Sequence, residues 1–149
     1  MLDTNIFNQF LEEHFELSCF PESNNYFVTH IQFDELNATK NKNRRQNLLN
    51  TVQEIPQEEV PTKSGVWGTS KWNKFKWGSE NNLYQPIKDK LDKLNKGKKN
   101  NIADALIAET AIKNQYTLVT NDNDLTKVVK ERGGHTISMN DFITENAPL

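Results

Sequence analysis

The chain has 149 residues, 18 Lys+Arg against 20 Asp+Glu for a formal net charge of −2, and a single cysteine. That length suits one domain with a core large enough to stand without staples, and the lone Cys19 excludes an intramolecular disulfide or a cysteine-based zinc site. No apolar run approaches the roughly 18 residues of a membrane span, and Met1-Leu2-Asp3-Thr4-Asn5 lacks the basic flank of a signal peptide. A cytoplasmic protein without a membrane partner is therefore expected, and the near-neutral total by itself argues against a plain nucleic-acid binder.

In chain order, Ile6, Phe10, Leu11, His14 and Leu17 fall near a 3.6 period and predict a helix over residues 5–17, stopping before Cys19-Phe20-Pro21. Tyr26 to Thr29 has the aromatic and β-branched content of a short strand. Thr29 or His30 then opens a helix to Ala38 that places Ile31, Glu35 and Ala38 on one face. A basic helix follows from about Asn43 to Ile55, ended by Pro56. Residues 56–81 carry two prolines and three glycines and read as an irregular excursion. Asn82 to Lys96 reads as an amphipathic helix burying Leu83, Ile87, Leu91 and Leu94, with Pro86 in its first turn.

The last third is the most regular. Asn101 is positioned to cap a helix whose apolar side is Ile102, Ala105, Leu106 and Ile112. Tyr116 to Thr120 is a nearly continuous apolar strand of the kind buried on both faces of a parallel sheet. A turn at Asn121–Asn123, a helix from Asp124 to Arg132 closed by Gly133-Gly134, a strand over His135–Ser138 and a terminal helix near Asp141–Ile143 complete the chain. This alternation predicts an α/β sandwich around a mainly parallel sheet, in one domain over residues 1–149.

The charge of −2 is a sum of unlike parts. Residues 40–101 hold fourteen basic and six acidic side chains, or +8, and the remainder holds four basic and fourteen acidic, or −10. A basic middle between acidic ends suits a polyanionic partner, and it equally suits a solvated lysine-rich helix pair. Both readings stay open on charge alone.

The acids carry more. In an open parallel sheet ligands bind beyond the carboxyl ends of the strands, and Asp3 and Asp122 each follow a strand end there. Singly, each acid has an ordinary explanation: Asp104 in a favourable helix first turn, Asp34 and Glu35 on an exposed face, Asp122 and Asp124 in a turn. Together, Asp3-Thr4-Asn5, Glu35, the run Asn101-Ile102-Ala103-Asp104-Ala105-Leu106-Ile107-Ala108 and the run Leu118-Val119-Thr120-Asn121-Asp122-Asn123-Asp124-Leu125 form an ordered pattern. That pattern resembles the PIN-domain family, and within it the bacterial VapC-like ribonucleases, over residues 1–40 and 100–145. The resemblance implies a three-layer α/β/α sandwich with Asp3, Glu35, Asp104 and Asp122 as its acidic cluster. It implies Asp3, Asp104, Asp122 and Asp124 as metal ligands and Asn5 and Thr120 as polar supports. It also implies RNA hydrolysis leaving a 5′-phosphate, a homodimer, and a toxin held by a partner antitoxin protein.

The residues support this independently. Carboxylates gathered in one pocket raise one another's pKa unless a cation neutralises them, and oxygen donors select Mg²⁺ or Mn²⁺ over zinc. His14, His30 and His135 fall in no ligand spacing, and no motif surrounds Cys19. Trp67, Trp72 and Trp77 alternate with Lys71, Lys74 and Lys76, a mixture suited to stacking bases and neutralising phosphates. For at least two of the tryptophans, anchoring the excursion to the body is the preferred reading, because large aromatics are usually mostly buried, which leaves these lysines with Arg44 and Arg45 as the RNA-binding candidates. Two departures from the family stand out: the stretch between the second and third motifs is long, and only two residues precede Asp3. Two rivals are a phosphatase of the haloacid-dehalogenase type and a catalytically silent RNA-binding module of the same fold. The first needs Asp-x-Asp where position 5 is Asn, and the second predicts no stabilisation by Mn²⁺.

Overall fold

Side chains on a strand point alternately to its two faces, and in this protein that alternation sorts the apolar residues into two cores. In the computed structural model, residues 1–66 and 82–147 are described. Met1 and Leu118 enter one core, packed with Ile87, Leu91, Leu106 and Val128, while their neighbours Leu2 and Val119 enter the other, with Phe7, Leu48, Val52 and Phe142. Two cores on two faces of one layer of strands make a three-layer α/β/α arrangement.

Four three-residue strands are present among the described residues: β1 (Tyr26–Val28), β2 (Gln57–Glu59), β3 (Thr117–Val119) and β4 (His135–Ile137). β1 pairs with β2 and β3 pairs with β4, both in parallel. Residues 1–3 join the two pairs. The Leu2 amide donates to the Phe27 carbonyl at 3.0 Å, the Asp3 amide donates to Val119 at 3.0 Å, and the Val119 amide donates to Met1 at 2.9 Å. The order across the layer is thus β2, β1, residues 1–3, β3, β4.

Seven α-helices are described: α1 (Thr4–Glu12), α2 (His30–Asn37), α3 (Lys42–Glu54), α4 (Tyr84–Asn95), α5 (Asn101–Lys113), α6 (Asn123–Glu131) and α7 (Met139–Asn146). Most of their starts are chemically marked, because exposed N–H groups in a helix's first turn need acceptors. Asp3 caps α1, a reciprocal Thr29–Gln32 box caps α2, Asn41 caps α3, Asp122 caps α6 and Ser138 caps α7. Helices α4, α5 and α6 pack on one another against the first core, and α1 and α3 against the second. None of the helices among the described residues is long and apolar enough to cross a membrane.

Three local expectations change. The first helix ends at Glu12 and not at 17, because His14 adopts φ 51° and the Phe15 amide turns back to the Phe10 carbonyl at 3.3 Å. This is a Schellman closure, sealed by contact of the Phe10 and Phe15 rings. The stretch after Pro56 contains a strand, β2, that the sequence does not announce: Gln57-Glu58-Glu59 is wholly polar, and it becomes strand only by pairing along β1 at the edge of the sheet. Asn101 is the first residue of α5 and does not cap it. Its side-chain amide instead turns back to Asp92 at 2.6 Å and Asn95 at 2.8 Å. Trp67, Trp72, Trp77, Lys71, Lys74 and Lys76 lie outside the described residues.

Candidate metal and nucleic-acid site

Parallel strands deliver their carboxyl ends to one rim, and helices that start there bring their N-termini with them. At this rim four acids from four separate segments line one cavity of about 320 Å³: Asp3, Glu35, Asp104 and Asp122. Asp3 caps α1 directly after the central strand segment, Glu35 projects from the middle of α2, Asp104 lies in the first turn of α5, and Asp122 caps α6. Three of the four thus sit at helix N-termini, where the backbone N–H groups favour negative charge.

The carboxyls are held by specific neighbours. Asp3 is 4% exposed, and its Oδ1 accepts from the Thr4 amide at 2.7 Å and its Oδ2 from the Thr120 hydroxyl at 2.6 Å. The Thr120 oxygen in turn accepts from the Asp122 amide at 3.1 Å and, more weakly, from Asn5 Nδ2 at 3.5 Å. One hydroxyl therefore ties the strand-end acid of residues 1–3 to the strand-end acid after β3. Thr4 performs the matching task for α2, its hydroxyl donating to Glu35 Oε2.

This crowding changes their proton affinity. Burial raises the Asp3 carboxyl to about 6, with the charge of Asp122 adding to it, while the bonds from Thr120 and Thr4 work in the other direction. Burial likewise raises Glu35, opposed by its bond from Thr4 and increased by Asp3. The largest effect falls on Asp104. Burial and then the charges of Asp3, Glu35 and Asp122 push it up to about 8, and only Lys98 pulls it back. Three of the four carboxyls thus hold their protons more tightly than ordinary carboxyls do, through burial and one another's charge.

Such a donor set fits a hard divalent cation by its chemistry. A fifth oxygen is available, because Asn5 Oδ1, which belongs to a residue lining the same cavity, is buried without a hydrogen-bond partner. As the side chains stand, no three His, Cys, Asp or Glu among the described residues are grouped closely enough to hold a metal ion. A cation would have to draw the acids together.

Several expected residues fall elsewhere. Asp124 lies in the first turn of α6 and does not line the cavity. Arg44 reaches the wall indirectly: its Nη2 donates to Asn8 Oδ1 at 2.9 Å, and it also pairs with Glu12 at 2.5 Å. Arg45 is turned to the start of its own helix, donating to the Thr39 carbonyl at 3.2 Å. Thr4, Asn8 and Asn100 line the cavity, although the sequence pattern does not single them out. Helical spacing carries a signal for one of them, since Asn8 stands one turn beyond Thr4 on the face that follows Asp3.

The family model described as PIN domain matches residues 82–131. This stretch holds α4 through α6, with Asp104 and Asp122, and leaves Asp3 and Glu35 outside. The match supports the PIN family, whose members are generally nucleases that use divalent metals. No curated protein and no solved structure matches the chain.

Proposed function

We propose that this protein is a Mg²⁺- or Mn²⁺-dependent endoribonuclease of the PIN class. The observation that carries the reading is the meeting of Asp3, Glu35, Asp104 and Asp122 in one cavity, three of them with raised proton affinity. Asp3, Asp104 and Asp122 would hold the cation, with Asn5 Oδ1 as a neutral oxygen beside them. When bound, the cation supplies the charge that lets the acids ionise together and offsets the charge developing on a phosphodiester under in-line attack.

The chain's own groups do the rest. Thr120 fixes Asp3 and the Asp122 backbone together, so that the two strand ends keep one spacing. Thr4 holds Glu35 by one oxygen. Burial raises the proton affinity of Glu35 above that of an ordinary carboxylate, and a stronger base is better suited to take a proton from an attacking water. In the cell we further propose the role of a toxin restrained by an antitoxin protein, acting as a homodimer.

The test is cleavage of a 5′-labelled single-stranded RNA by the purified protein. Mn²⁺ or Mg²⁺ should support cleavage and EDTA should stop it. Asp104→Asn and Asp122→Asn should each reduce the rate at least 100-fold with unchanged circular dichroism. Full activity in either variant would overturn the assignment. Growth arrest on expression of the wild type, absent with Asp104→Asn, tests the toxin role separately.

A further inference from the structure

Lysines on a surface are usually solvated and unremarkable, but one short basic turn here runs directly into Asn100, a residue of the acidic cavity's wall. Helix α4 ends on Lys96 in the left-handed conformation, φ 59°, followed by Gly97 at φ 70°. The chain then runs through Lys98 and Lys99 to Asn100, which lines the cavity. All four residues from Lys96 to Lys99 are exposed.

This turn is held firmly for an exposed one. Asn101, 1% exposed, donates to Asp92 Oδ1 at 2.6 Å and to Asn95 Oδ1 at 2.8 Å, and accepts from Asn95 Nδ2 at 2.9 Å. The Lys98 amide donates to Asn95 Oδ1 at 3.2 Å, the Gly97 amide donates to the Asp92 carbonyl at 3.1 Å, and the Asn101 amide donates to the Lys98 carbonyl at 3.1 Å. A buried asparagine thus fixes both ends of the turn, so less backbone entropy is given up when the lysines bind. On another element, Arg44 of α3 stands behind the wall and is bonded to the wall residue Asn8 of α1. The Arg44–Glu12 pair is exposed on both sides, so an incoming phosphate can displace it at little cost.

We infer that Lys98 and Lys99, with Arg44 on the neighbouring wall, are phosphate-positioning residues that seat the backbone of a single strand of RNA across the acidic cavity. The inference rests on the nuclease reading for its substrate, and it assigns the basic turn a task that the charge pattern alone left open. An acidic pocket repels a polyanion. Fixed cations at its rim offset that repulsion at the phosphates flanking the one to be cut, which is where an endonuclease needs them. Such interactions with the RNA backbone set position without reading sequence.

The experiment measures binding of a fluorescein-labelled 12-nucleotide single-stranded RNA by anisotropy in EDTA, from 50 to 200 mM salt, with a DNA of the same sequence in parallel. Wild type is compared with Lys98→Ala/Lys99→Ala, Arg44→Ala and, as a control on α6, Lys127→Ala. Removing one lysine or arginine that neutralises a phosphate should reduce the slope of log K against log salt by about 0.7. The double variant should bind about 10-fold more weakly at 100 mM salt, equally for RNA and DNA. Lys127→Ala should match wild type. With Mn²⁺ present, the double variant should raise KM about 10-fold with kcat within twofold, the signature of weakened uniform binding. Wild-type affinity and salt slope in the double variant would overturn the inference while leaving the nuclease assignment standing. Normal salt-dependent binding without any cleavage would do the reverse.

Discussion

Replacing Asp104 with Asn should stabilise the metal-free protein, and by more at pH 8 than at pH 5. In the fold the Asp104 carboxyl is pushed from its ordinary 3.8 to about 8, by burial first and then by Asp3, Glu35 and Asp122. The folded protein therefore keeps this proton to a higher pH than the unfolded chain, so folding takes up a proton between the two values. Stability is highest below the unfolded value and falls as pH rises through the window from about 4 to 8. At about 1.4 kcal/mol per pH unit, the group opposes folding by up to about 5 kcal/mol at pH 8 and about 2 kcal/mol at pH 5. Water entering the cavity and small movements of the acids reduce both figures, leaving about 2–4 kcal/mol at pH 8 and about 1 kcal/mol or less at pH 5. Asparagine keeps the shape and removes the charge. Thermal denaturation in EDTA should show the variant melting about 5–15 °C above wild type at pH 8, with a much smaller gain at pH 5. A variant no more stable than wild type at pH 8, or one with the same gain at both pH values, would refute the reasoning.

Two further outcomes follow from the same cavity. Mn²⁺ should raise the melting temperature of the wild type at pH 8, through a stabilisation of about 2.7 kcal/mol at a hundredfold excess over Kd. Asp122→Asn should abolish most of that rise, and a wild type indifferent to Mn²⁺ would favour a silent RNA-binding module. Thr4→Val should cost only about 1 kcal/mol in denaturant unfolding, since it removes one partly buried bond to Glu35. The same change should lower cleavage about 10- to 100-fold by releasing that carboxylate, and unchanged kinetics would show that Thr4 does not orient it.

Much of the architecture is legible because it rests on local patterns. The stripe of Ile87 and Leu91 on α4, the apolar run of β3 and the cap at Thr29 involve residues close in sequence, where periodicity and capping chemistry report directly, whereas Ser138 reads as the end of a strand and is seen to cap α7 only in the fold. The misread elements share a different cause. β2 has no apolar signature and exists only by pairing with β1, and the Schellman turn at His14 is sealed by the Phe10 and Phe15 rings packing together. Asn101 has the residue type of a cap, yet Asp92 and Asn95 offer it better partners.

The site divides along the same line. The acids at Asp3, Glu35, Asp104 and Asp122 are singled out in the sequence by order and neighbourhood, together with a basic middle that conceals itself in a total charge of −2. Their meeting in one cavity is a property of the tertiary structure, because 119 positions separate the first acid from the last and only the parallel strands bring both to one rim. The fold also decides which neighbours join them. Thr4 and Asn8 enter through the start of α1 and Asn100 through the turn before α5, whereas Asp124, two residues from Asp122, stays outside the cavity. Residue type sets what a group can do and short-range pattern sets its element, but proximity across the chain comes from packing, and proximity is what gathers four ordinary carboxylates into one acidic cavity.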